Sequence, residues 1–220
     1  MRFLRLSVAI GFVAIFFSTA NATFQRPNLI FFEGRKYQLC SDPMESYFNQ
    51  HPDQKPQGPF RTSDLWRGYL ATFDFSERGL YLKEIEAYKK REDSLEAEWK
   101  SVLNTIVPKG SVMQVNWVTG LMVLSEGRPR LLDYPEYDCT LAFEDYLLLE
   151  IDHGKYVRSA KIDGPQEFTA YRGRLFKEFR KTPEYRNERQ KLIDDGRNRS
   201  TANNIIRERI LYLSKKLFPK

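Results

Sequence analysis

Asp133, Glu136 and Asp138 form the densest acidic cluster in the chain, interleaved with Tyr134 and Tyr137 and ending beside Cys139. Paired carboxylates flanked by aromatic rings suit glycan chemistry: one carboxyl donates a proton, another stabilises the developing cation, and the tyrosines stack on sugar faces. The same oxygens suit a calcium ion. The plainer reading is an acidic loop leading into a disulfide, because the spacing matches no known metal loop and glycosidase carboxylates are not identified by proximity in sequence. Histidine usually supplies the base of a catalytic partnership, and only His51 and His153 are available. His51 sits in a proline-rich stretch, and His153 belongs to an Asp152-His153-Gly154 turn. Neither stands among the clustered ligands a metal needs. No G-x-S-x-G elbow, H-E-x-x-H helix or phosphate-binding glycine loop is present. The sequence therefore leans away from an enzyme, and neither a cofactor nor a metal is expected.

Two further groups of residues suit recognition. Trp66, Arg67 and Tyr69 place a guanidinium between aromatic rings, an arrangement that grips a carboxylate while stacking. The competing expectation is that Trp66 and Tyr69 are core or strand-pairing residues and that Arg67 starts an exposed edge. The second group is Arg207, Lys215 and Lys216, in a strongly basic C-terminal region. The formal charge of +6 is unevenly spread: residues 23–165 carry 18 basic and 22 acidic side chains, whereas residues 166–220 carry 15 basic and 7 acidic. A basic region of this kind suits an acidic protein, a cell-envelope polymer or anionic lipid headgroups. The alternative is that these charges only solubilise amphipathic helices.

The elements that must position these residues follow from periodicity. Residues 28–32 and 36–40 are apolar-rich runs about a Glu33-Gly34-Arg35 turn, which predicts a hairpin. Asp42 as a cap and Pro43 at the first helical position predict a short helix bearing Met44, Tyr47 and Phe48. Tyr69, Ala71, Phe73 and Phe75 alternate with Leu70, Thr72 and Asp74, and residues 80–86 return as a second strand. Leu95, Trp99, Val102 or Leu103, and Ile106 recur at steps of three and four, which predicts a helix closed by Pro108-Lys109-Gly110. Strands are expected at residues 112–118, 121–124 and 130–134, and a hairpin at residues 146–151 and 156–162. The period then becomes helical, with Thr182 and Pro183 starting a second helix and Asp194-Asp195-Gly196 ending it. A last helix over residues 203–217 aligns Ile206, Ile210, Leu213 and Leu217 on one stripe. The expected class is α+β: a mostly antiparallel sheet of about eight strands over residues 23–165, an intervening helix, and a basic helical segment over residues 166–220.

The amino terminus reads as a secretory signal. Arg2 and Arg5 precede an uncharged, mostly apolar run at residues 6–17, and Ala20-Asn21-Ala22 gives the small-x-small pattern of a cleavage site. The run is well short of the roughly 20 residues that span a bilayer, so cleavage before Thr23 is expected and a retained anchor is the alternative. Two cysteines, Cys40 and Cys139, then enter an oxidising compartment. One disulfide closing a loop of about 100 residues is expected, contributing about 4 to 5 kcal/mol on the chain-entropy model.

The segment Trp66-Arg67-Gly68-Tyr69-Leu70-Ala71-Thr72-Phe73, followed by Gly79-Leu80-Tyr81-Leu82, resembles an uncharacterised family of exported or cell-envelope-associated bacterial proteins, in which a W-R-G-Y-x-A-T-aromatic strand precedes an L-Y-L strand. Asn116-Trp117-Val118-Thr119-Gly120 and Leu147-Leu148-Leu149-Glu150-Ile151 extend the resemblance, which covers residues 28 to about 162. It implies an exported, β-rich chain and brings no catalytic residues with it. The expected function is an exported, non-enzymatic protein, periplasmic or extracellular, that binds another macromolecule. The alternatives are a glycan-directed enzyme using the acidic cluster, and a peripheral membrane protein. No nucleic-acid partner is expected, and membrane contact is at most peripheral.

Overall fold

The computed structural model describes residues 25–56, 62, 64–76, 78–90, 97–127 and 143–218. Among them are nine strands: β1 (Asn28–Phe32), β2 (Arg35–Leu39), β3 (Tyr69–Ser76), β4 (Gly79–Lys90), β5 (Ala97–Ser101), β6 (Met113–Gln114), β7 (Gly120–Glu126), β8 (Asp145–Asp152) and β9 (Lys155–Asp163). The five helices are α1 (Pro43–Gln50), α2 (Gly164–Phe179), α3 (Pro183–Asp194), α4 (Arg199–Glu208) and α5 (Ile210–Leu213). The class is α+β, as expected. The strands form one sheet in the order β5-β4-β3-β1-β2-β7-β8-β9, with β6 also pairing with β4. Every pairing is antiparallel except β1 with β3.

The sheet curls until its two halves meet. Tyr69, Ala71 and Phe73 on β3 share one buried cluster with Leu80, Leu82 and Ile85 on β4 and with Met122, Leu124, Leu149 and Ile151 on β7 and β8. Helix α1 adds Met44 and Phe48 to that core. The closing contact lies at the β8–β9 turn, where the Leu80 N–H donates to the Gly154 carbonyl at 2.8 Å and the Gly154 N–H donates to the Val118 carbonyl at 2.9 Å. Gly154 has φ 73°, and a Cβ there would stand 2.4 Å from the Val115 carbonyl oxygen. Only glycine fits both the left-handed turn and the close approach.

Strands β7 and β8 are buried on both faces. Their inner side chains join the core just described, and their outer ones, Leu121, Val123, Tyr146 and Leu148, join a second cluster with Phe168, Leu175, Phe179, Ile206 and Ile210 from the helices. The helical segment thus packs as a layer on the outside of the curl. Thr182 caps α3 by accepting from the Tyr185 N–H at 3.2 Å, and Asn198 caps α4 by accepting from the Thr201 N–H at 2.9 Å.

Three expectations need correction. Where it is described, from Ala97 on, the predicted helix over residues 95–106 is instead the edge strand β5, followed by a short 3-10 turn at Leu103–Thr105. On the edge opposite β3, β4 offers residues 86–90 to a partner, and the cross-strand pair Tyr88↔Trp99, with ring centroids 4.1 Å apart, rewards pairing over helix formation. The expected strand over residues 112–118 shortens to β6, because Val115 bonds instead to the Leu80 carbonyl and residues 116–117 turn. The last helix is broken: α4 stops at Glu208, α5 ends at Leu213, and Leu217 is reached by a non-helical segment. The apolar stripe itself holds, with Ile206 and Ile210 fully buried, Leu217 nearly so, and Leu213 half-buried. The strand expected at residues 130–134 lies outside the described residues.

Candidate functional site

The segment 214–218 follows α5 and is held by an unusual concentration of polar bonds. Glu150, in the middle of β8, is 7% exposed. Its Oε2 accepts from the Leu217 N–H at 2.7 Å and from Arg158 Nε, on β9, at 2.9 Å. Arg158 Nη2 in turn donates to the Leu217 carbonyl oxygen. One carboxylate and one guanidinium thereby satisfy both backbone groups of Leu217, much as a neighbouring strand would. Ser214, also buried, donates its hydroxyl to the Lys216 carbonyl at 3.0 Å. The Leu217 side chain enters the helix-side core.

This anchoring fixes the backbone on both sides of Lys215 and Lys216 while leaving their side chains exposed. The two lysines border a groove of about 250 Å³ whose walls include Phe179, Leu213 and Phe218, with Glu184 as the one carboxylate among its described lining residues. No ion pair joins either lysine to a described residue. A pair of cations on an anchored backbone beside an apolar groove can take an anionic segment that also carries apolar side chains, because little backbone freedom remains to be lost on binding. Arg207 does not share this arrangement. It stays exposed, but its guanidinium stacks over the Phe176 ring at 5.1 Å, and Arg180 lies over the same ring at 6.0 Å.

The Trp66-Arg67 pair divides in the opposite way from the sequence expectation. Trp66 is 66% exposed, whereas Arg67 is 8% exposed. Arg67 Nε donates to the Tyr69 carbonyl at 2.9 Å, its Nη2 donates to the Arg26 carbonyl, and its Nη1 pairs with Asp42 at 3.1 Å. Asn28 completes the knot, donating to Asp42 Oδ1 at 2.7 Å and accepting from the Ala71 N–H at 2.9 Å. The Nε, Nη1 and Nη2 atoms each have an internal acceptor, so the buried guanidinium is satisfied, and Gly68, at φ 87°, turns the chain between the outward Trp66 and the inward Tyr69. Burial, and then the Glu45 carboxylate that accepts from its hydroxyl at 2.8 Å, push the Tyr69 phenol far above its ordinary range, so it remains a donor. At the edge of this network a hydrogen bond from Thr62, and then the Arg26 guanidinium, hold Asp64 below the usual carboxylate range. Arg67 is therefore an organising residue of the fold rather than a docking group.

His153 occupies the turn read from the sequence, exposed, at φ 47°, with Nδ1 2.7 Å from Asp152 Oδ1. His51 follows α1 and stacks on Tyr47 with ring centroids 4.5 Å apart. Among the described residues no group of three histidine, cysteine or carboxylate side chains is placed to hold a metal. Asp133, Glu136, Asp138 and Cys139 lie outside the described residues. Cys40 closes β2, its N–H donating to the Val123 carbonyl at 3.0 Å and its carbonyl accepting from the Tyr212 hydroxyl at 3.3 Å.

Glu150 and Arg158 escaped the sequence reading. A usable signal was there: a single carboxylate inside the apolar run Leu147-Leu148-Leu149-Glu150-Ile151 must be paired if that strand is buried. No helix among the described residues is long and apolar enough to cross a membrane. Compared with known proteins, the chain matches no family model, no curated protein and no solved structure.

Proposed function

We propose that this protein is an exported, non-enzymatic binding protein that docks an acidic macromolecular partner, a protein or cell-envelope polymer, on the segment carrying Lys215 and Lys216. Export is supported by the basic, apolar and small-x-small pattern of residues 1–22 and by the resemblance to an exported family. Binding is supported chiefly by one observation: the Glu150–Arg158 clamp on the Leu217 backbone, which spends a buried carboxylate, paired with a half-exposed guanidinium, on fixing a segment whose outward side chains are two cations. Desolvating a carboxylate is costly, so the clamp is hard to explain as surface decoration. In an oxidising compartment Cys40 and Cys139 form a disulfide in this reading, and a denaturing thiol assay finding two free thiols per exported chain would exclude the bridge.

The docking claim is tested with a fluorescein-labelled short peptide of alternating glutamate and leucine. The wild-type chain is expected to bind it with an affinity that falls as salt rises, because exposed charges are screened over about 8 to 10 Å at physiological ionic strength. The Lys215→Glu/Lys216→Glu variant is expected to keep its thermal midpoint, as surface charge changes cost within about 0.5 kcal/mol, and to lose at least tenfold in affinity. Unchanged affinity in a folded double variant refutes the assignment. Equal binding of a lysine–leucine peptide also refutes it.

A further inference from the structure

At the turn end of the curled sheet, three hairpins surround a cleft of about 950 Å³ lined by different residues from the lysine groove. Its floor is aromatic. Phe32 from β1 and Phe75 from β3 meet edge to face with centroids 5.7 Å apart, and Tyr156 from β9 lies 5.6 Å from Phe32 and 6.3 Å from Phe75. β9 is not a sheet neighbour of β1 or β3; the curl alone brings Tyr156 there. Its hydroxyl donates to Ser159 Oγ at 3.0 Å, and the side chain remains 43% exposed, an apolar surface left open at the cleft. The rim is charged. Arg78, from the β3–β4 turn, and Lys155, at the start of β9, both line the cleft and are exposed, and no carboxylate of the described residues pairs with either. Glu33, in the β1–β2 turn, is the one acidic residue among the described residues of the lining.

We propose that this cleft is a binding site for a small amphipathic anion, a carboxylate on an alkyl or aryl body. The apolar body packs on Phe32, Phe75 and Tyr156, and the carboxylate is taken by Arg78 and Lys155. Among the described lining residues, two cations against one carboxylate leave an excess of positive charge, and a charge-assisted bond to a guanidinium is stronger than a neutral one. The volume falls within the range of ligand pockets, and the open end of a closed or nearly closed sheet is a common place for one. Glu33 stands against a ligand with a second negative charge, which favours a monoanion.

The test uses sodium decanoate, decanol and decyltrimethylammonium bromide, each below its aggregation limit, titrated into the mature chain with the amide spectrum as readout. Decanoate is expected to saturate one site, shifting the amides of Phe32, Phe75 and Tyr156. Decanol and decyltrimethylammonium are expected to bind at least tenfold more weakly. Arg78→Glu/Lys155→Glu is expected to weaken decanoate at least tenfold, with the remaining amide spectrum unchanged. If that double variant fails to fold, Lys155→Gln decides, with an expected loss of about threefold, the share of one of two charge contacts. The proposal is overturned if decyltrimethylammonium binds as tightly as decanoate, if the charge variants leave decanoate affinity unchanged, or if no probe shifts the cleft amides. Because the lysine groove shares no lining residue with the cleft, any of these results leaves the docking of an acidic partner at Lys215 and Lys216 to its own experiment.

Discussion

The inner curl and the outer helical layer both bury charged side chains, and they use them differently. Inside, Arg67, Asp42 and Asn28 close on themselves and on nearby carbonyls, tying residues 26–28 and 67–71 together, with Arg67 buried and the part-exposed Asp42 carboxylate turned to it. In the outer layer Glu150 and Arg158 reach across to a segment distant in sequence and hold it by its backbone. The first network stabilises a strand start; the second fixes a surface. A buried charge by itself therefore says little about function, and the identity of what it holds says much more.

The comparison breaks most sharply at the closure of the curl. Gly154→Val is expected to cost about 4 kcal/mol, since a left-handed β-branched residue is strained by about 1 to 2 kcal/mol and overpacking against the Val115 carbonyl adds about 1 to 3. Urea denaturation measures it, and a variant within about 1 kcal/mol of wild type means the β8–β9 turn does not close the sheet as described. In the outer layer the largest single loss is expected at Ile210→Ala, about 3 kcal/mol for a fully buried side chain, with Leu213→Ala costing less because that residue is half-buried. Equal losses at the two positions would reverse the assignment of the inward face. Glu150→Ala is expected to cost about 2 to 3 kcal/mol, because it leaves the Leu217 N–H without its acceptor. Its distinguishing effect is local: the Leu217 amide should exchange with solvent far faster while amides of β3 and β4 stay protected under conditions where the fold is intact. Uniform acceleration throughout the chain would mean the clamp belongs to the global fold and not to the segment.

The sheet was largely legible in the sequence because alternation is a local signal. Tyr69, Ala71 and Phe73 fall on one face in both readings, and β1, β7, β8 and β9 begin or end within a few residues of their expected limits. Residues 95–106 misled because Trp99, Val102 and Ile106 have helical spacing, while the partner that makes β5 a strand, Tyr88, is supplied by another element. Trp66 and Arg67 exchanged places for a related reason: residue type argues for a buried indole and an exposed guanidinium, and only the acceptors contributed by Asp42, Arg26 and Tyr69 reverse it. The basic character of residues 166–220 was plain in the composition. Which cations stand on an anchored backbone was not, because Lys215 and Lys216 owe their setting to Glu150 and Arg158, more than fifty residues earlier in the chain.

The proposal that the clamped Lys215–Lys216 segment is the docking surface is checked by titrating the glutamate–leucine peptide into the isotope-labelled protein and following every backbone amide. The account predicts that the largest shifts fall on Leu213 to Phe218 and Phe179, saturate together, and vanish in the Lys215→Glu/Lys216→Glu variant. Shifts of equal size spread along the exposed arginines of α2, α3 and α4, with the 214–218 segment silent, would contradict it.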